Sequence, residues 1–84
     1  MTNSLTFVYL LETISKPVRR YVGVTDDLDA RLAAHNEGRS THTAKYRPWR
    51  LVTFVAFTQA QRARAFERYL KSGSGQAFAK AHLW

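Results

Sequence analysis

Two tyrosines stand on neighbouring strand-like runs, Phe7-Val8-Tyr9-Leu10-Leu11 and Arg20-Tyr21-Val22-Gly23-Val24. Arg31 follows ten residues after Tyr21, His35 four further on, and a lone acid, Glu67, lies in a later basic segment. Two phenols, a guanidinium, an imidazole and a carboxylate are the groups with which one metal ion could assist hydrolysis of a phosphodiester. A free phenol has a pKa of about 10, so only about one in a thousand is ionised at neutral pH. A nearby metal or arginine would lower that value. Arg31 could stabilise charge on phosphate oxygens, and His35 could relay a proton between water and a tyrosine. A carboxylate among arginines, such as Glu67, can hold Mg²⁺ when substrate phosphate completes the shell.

Each residue also has a plainer reading. Tyrosine is a good strand residue and most strand tyrosines only pack. Arg31 could be a solvated helix residue, and His35 could cap or line the core. Glu67, the only acid in the last forty-five residues, could serve a helix ion pair with Arg64, Lys71 or Arg68. Asn36 reads as a polar residue near a helix end.

These groups need elements to hold them. Thr6 to Glu12 is rich in β-branched and aromatic residues and reads as a strand. Pro17 blocks ladder pairing in the loop that follows, and Arg19 to Val24 reads as a second strand, antiparallel to the first. Alternation puts Phe7, Tyr9 and Leu11 on one face and Val8 and Leu10 on the other; Tyr21 and Gly23 share a face. Both faces of the first strand are apolar, which calls for helices on both sides of the sheet. Gly23 leaves space for a backbone or a ligand to approach, which makes it a candidate nucleic-acid contact.

Thr25-Asp26-Asp27 is a helix start with Thr25 or Asp26 as N-cap. The helix should run to about Glu37 and stop at Gly38, burying Leu28, Leu32 and Ala33. Arg31 and His35, four apart, project from one face beside that stripe. Arg39 to Arg50 reads as a polar, basic loop. Its Arg39, Lys45, Tyr46 and Arg47 interleave base-stacking and phosphate-binding types, whereas Trp49 should enter the core. Leu51 to Phe57 is the third strand. Thr58 should cap a helix from Gln59 to Ser72, with Ala60, Ala63, Phe66 and Leu70 as its core stripe and Arg64 and Lys71 as candidate phosphate contacts. Gly73-Ser74-Gly75 should stop it before a short helix from Gln76 to His82.

Eighty-four residues make one domain, 1–84, with a small core. No cysteine is present, so a disulfide framework and a thiolate zinc site are both excluded. His35, His42 and His82 are too scattered for a local metal motif. The apolar run Phe7 to Leu11 is far too short to span a bilayer, and the first residues do not form a signal peptide. The expectation is a cytoplasmic chain with no membrane contact and no obligate protein partner. The formal charge of +7, from thirteen Lys and Arg against six Asp and Glu, favours polyanions through counterion release, though excess charge can also serve solubility alone.

Taken together, the motifs resemble those of the GIY-YIG nucleases, in particular small stand-alone members resembling the nuclease domain of the excinuclease C subunit. The first motif stands as Phe7-Val8-Tyr9 and the second as Tyr21-Val22-Gly23. Arg31 and His35 match the helix motif, and Glu67 the metal-binding glutamate. Arg47-Pro48-Trp49 and Leu70-Lys71-Ser72-Gly73-Ser74-Gly75 look typical of the small members. The resemblance implies an α+β fold with a three-stranded antiparallel sheet flanked by helices. It also implies a DNA endonuclease using Mg²⁺ or Mn²⁺ and leaving a 5′-phosphate and a 3′-hydroxyl. Carried over, Tyr21 or Tyr9 would help activate water, Arg31 would steady the charged phosphate, and Glu67 would hold the metal beside the leaving 3′-oxygen.

The chain departs from the pattern in three places. Phe7-Val8 replace Gly-Ile, Val24 stands where some members carry a lysine, and no asparagine follows Glu67. With no added DNA-binding domain, single-stranded or branched DNA is the expected substrate. The alternatives are a non-catalytic nucleic-acid-binding module and an RNA-directed protein.

Overall fold

The structure, a computed structural model, describes residues 4–84. Three strands form one antiparallel sheet: β1 (Thr6–Thr13), β2 (Arg20–Thr25) and β3 (Trp49–Phe57), in the order β2-β1-β3. Being central, β1 is covered on both faces, and Val8, Tyr9, Leu10 and Leu11 are all buried. Period-two alternation then divides the core. Val8 and Leu10 meet Ala63, Leu70 and Ala79 on one side, while Tyr9 and Leu11 meet Trp49 on the other. The helices α3 (Ala60–Leu70) and α4 (Gly73–His82) supply the first layer. On the second face lie α1 (Leu28–Asn36) and the short α2 (Thr41–Ala44). The expected α+β architecture, a three-stranded antiparallel sheet with flanking helices, is the one observed. No helix among the described residues is long and apolar enough to cross a membrane.

Several boundaries differ from expectation. The N-cap of α1 is Asp27, whose Oδ1 accepts from Ala30 N at 3.1 Å. Thr25 ends β2, and its hydroxyl instead accepts from Asp27 N. Gln59, not Thr58, is the N-cap of α3. Residues 73–75 do not separate two helices but open α4, because the Ser72 hydroxyl accepts from Gly75 N. At Gly75 the backbone presses on the Tyr69 carbonyl so closely that a Cβ would overlap it. That glycine therefore permits the tight α3–α4 corner. The segment read as a wholly irregular basic loop contains α2, and β3 begins at Trp49, two residues early. A register irregularity in the β1–β3 ladder between Leu10 and Leu11 sets Leu51 opposite Leu11.

Candidate active site

The α1 face of the sheet gathers four of the five candidate catalytic side chains. Tyr9 pairs with Gly23 and Leu11 with Tyr21 across the β1–β2 ladder, so the two tyrosines are diagonal neighbours, ring centroids 6.2 Å apart. The reason for a glycine at 23 is steric. A Cβ there would overlap the Tyr9 hydroxyl and the end of its ring. The close approach that Gly23 permits is thus occupied by a phenol of this chain, and Gly23 is buried.

From α1, His35 reaches down onto this phenol. Its Nε2 lies 2.9 Å from Tyr9 Oη, and its Nδ1 lies 2.6 Å from Thr43 Oγ1 on α2. The Thr43 hydroxyl also reaches the Ser40 carbonyl at 3.4 Å. We assign its proton to that carbonyl, so Thr43 Oγ1 accepts from His35 Nδ1–H and the unprotonated Nε2 accepts from Tyr9. All three residues are buried, and no buried side-chain nitrogen or oxygen among the described residues lacks a partner. Burial, then the nearby Arg31 charge, holds the His35 pKa below its usual value, so the imidazole is neutral at pH 7. Arg31 Nε donates to Tyr9 Oη at 3.4 Å. The Tyr9 pKa is nevertheless raised, because burial outweighs the Arg31 hydrogen bond and the Tyr21 phenol adds to the rise.

Tyr21 is the more open of the two phenols. Its ring meets the edge of His35 at a centroid distance of 5.0 Å, and it lines two surface clefts, one with Tyr46 and Trp49, the other with Lys71 and Trp84. Arg31 shares a further cleft, about 410 Å³, with Asp26, Ala60 and Arg64.

Glu67 comes from the opposite layer. Ala60, Arg64, Glu67 and Lys71 fall within one stripe of α3. Since Ala60 and Arg64 share a cleft with Arg31, and Lys71 shares one with Tyr21, the stripe follows the free edge of β2, with Glu67 between those two ends. The Glu67 carboxylate is ion-paired to Lys71 and its side chain is 16% exposed. No group of three or more His, Cys, Asp or Glu side chains converges among the described residues. Glu67 is the one carboxylate on this stripe of α3, and a cation held there would take its remaining oxygens from water and phosphate, as Mg²⁺ prefers. The Lys71 ammonium occupies this carboxylate, the i,i+4 ion pair of the plainer reading, and a cation bound there would displace it.

The remaining candidates disperse along the basic segment. Arg39 pairs with Glu37, and Arg47 donates to the Ala44 carbonyl while lying over Gly38. Tyr46 packs against the Tyr9, Leu11 and Trp49 cluster, with the Arg19 guanidinium 4.4 Å from its ring centroid and Lys45 5.3 Å away. Trp49 is in the core as expected, its Nε1 donating to the Thr43 carbonyl at 2.9 Å. Sequence reasoning missed Thr43 and underrated Asn36, whose amide donates to the Trp49 carbonyl and accepts from Trp49 N, pinning α1 to β3. No sequence signal marks Thr43, because its burial arises only when α2 folds over α1.

A three-stranded sheet carrying a tyrosine from each of its first two strands, with an arginine and a histidine above them, defines a nuclease-type domain, and the chain belongs to the GIY-YIG catalytic domain family, which it matches over residues 5–80. The family is one of nucleases with DNA as substrate. Among individual relatives, UPF0213 proteins of Streptococcus pyogenes serotype M3 (strain MGAS315) and serotype M5 (strain Manfredo) are each 35% identical over 72 residues, covering 84% of this chain and 76% of theirs. The solution NMR structure of the UPF0213 protein BH0048 from Bacillus halodurans superposes with a TM-score of 0.55 at 31% identity, covering 92% of this chain and 83% of that one.

Proposed function

We propose that this protein is a metal-dependent DNA endonuclease that hydrolyses phosphodiesters to a 5′-phosphate and a 3′-hydroxyl, favouring single-stranded or branched DNA. The observation that carries the reading is the buried line from Tyr9 Oη through His35 to Thr43, with Arg31 on the same phenol oxygen. A neutral imidazole whose Nε2 already accepts the Tyr9 hydroxyl hydrogen bond is placed to take that proton. Because Tyr21 is open to the clefts and Tyr9 is buried, water contact belongs to Tyr21 and the inward relay to Tyr9. In such a relay Tyr21 would take a proton from water while giving its own to the neighbouring phenol of Tyr9, ring centroids 6.2 Å apart, and Tyr9 would pass its proton to His35 Nε2. The imidazolium so formed keeps Nδ1–H on Thr43. Arg31, beside Arg64 in one cleft, steadies charge on the phosphate oxygens.

Mg²⁺ or Mn²⁺ held at Glu67 would neutralise charge at the departing 3′-oxygen. The clefts beside Tyr21 combine basic and aromatic side chains, which suits flexible strands better than a rigid duplex. The test is cleavage of labelled single strands, duplexes and flaps with several divalent metals. Glu67→Ala should abolish cutting while retaining binding, and Tyr21→Phe should lose turnover but fold normally. A wild type that binds without cutting under any metal replaces the endonuclease with a binding module. Preferential cutting of plain duplex removes only the substrate preference.

A further inference from the structure

We propose that the cleft between edge strand β2 and helix α4 is a groove for an unpaired stretch of DNA flanking the scissile phosphate, with the Arg20–Trp84 pair as its base-stacking platform. The cleft has a volume of about 610 Å³ and is lined by Arg20, Tyr21, His42, Lys71, Lys80 and Trp84 among others. No acidic side chain lines it. Its lining is therefore cationic and suits a phosphate chain, with Arg20 and Lys71 paired to Glu12 and Glu67 outside the lining. The Arg20 guanidinium lies 4.8 Å from the Trp84 ring centroid and is steered there by its bond to Glu12. A guanidinium seated on an indole presents a flat cationic surface, and unpaired bases stack on both kinds of plane.

Lys80 is exposed and makes no ion pair among the described residues, so its ammonium is available to a phosphate. Continuity with the reacting centre comes from two residues. Tyr21 lines this cleft as well as the catalytic cluster, and Lys71 joins it to Glu67. The assignment rests on the nuclease reading above, but binding in the absence of metal tests it without any cleavage.

The experiment is titration of the full chain in EDTA with a short oligothymidine, read by anisotropy of the labelled strand and by tryptophan fluorescence. Of the two tryptophans, Trp49 is buried, so quenching should report Trp84. Trp84→Leu keeps apolar bulk against the core; it should abolish quenching and weaken binding about tenfold. Lys80→Gln, at an exposed helix position, should weaken binding several-fold and flatten the salt slope by about 0.7. Unchanged affinity and slope in Lys80→Gln, or undiminished quenching in a folded Trp84→Leu protein, overturns the proposal. So does tighter binding of duplex than of single strand. Both variant effects, together with a wild type that cuts nothing, support the groove and remove the nuclease reading instead.

Discussion

Thr43→Val removes one hydroxyl from the centre of the molecule and should disable the site from behind. Thr43 Oγ1 lies 2.6 Å from His35 Nδ1, and both side chains are buried. Without that acceptor the Nδ1–H is left unpaired, at a cost of about 1–3 kcal/mol. For a chain of this size each kcal/mol lowers the melting temperature by roughly 4–8 °C. A fall of about 4–24 °C should therefore follow in a circular-dichroism melt. The imidazole can avoid the penalty by moving its proton to Nε2, but then Nε2 donates to Tyr9 Oη and no longer accepts from it. General base assistance of this kind is worth about 10²–10⁴-fold, so single-turnover cleavage should drop at least 100-fold on that scale. Thr43→Ser, which keeps the hydroxyl, should recover most of the rate. A Thr43→Val protein that melts and cuts like the wild type would refute the relay. A Thr43→Ser protein as impaired as Thr43→Val would show that the hydroxyl alone does not carry the effect.

Acidification should act on the same imidazole. Its folded pKa lies below the ordinary value near 6.5, so the unfolded state binds the extra proton first. The contribution is whole above about pH 6.5 and is lost as pH falls from there towards the folded pKa. Melting temperature should decline across that window in the wild type, and His35→Gln should flatten the decline. Gly23→Ala should cost about 1–3 kcal/mol by overpacking against the Tyr9 hydroxyl, and chemical denaturation should find a smaller penalty in a Tyr9→Phe background. Arg31→Ala should slow cleavage at saturating metal; full rescue by extra metal would show that the guanidinium serves metal binding rather than the phosphate.

Much of this molecule is written in local pattern. The alternation of Phe7 to Leu11, with both faces apolar, already demands a central strand covered on two sides, and the Ala63, Phe66 and Leu70 spacing supplies the α3 layer. Tyr9, Tyr21, Arg31 and His35 are legible because strand period and helical spacing decide which side each occupies. Helix starts were less legible. Thr25, Asp26 and Asp27 all satisfy an N-cap, and only the path of β2 selects Asp27. Gly73-Ser74-Gly75 has the composition of a stop, yet packing against Tyr69 and the Ser72 cap make it a start.

The tertiary structure alone decided the second partners. Thr43 and Asn36 are polar residues of ordinary type, and their roles exist only because α2 and β3 close over the end of α1, placing partners 8 and 13 positions away against it. Trp84 meets Arg20 from much further off, across 64 positions. Periodicity records which face a side chain takes on its own element, since that depends on a few neighbours in sequence. It carries no record of what waits opposite, because that depends on how separate elements dock.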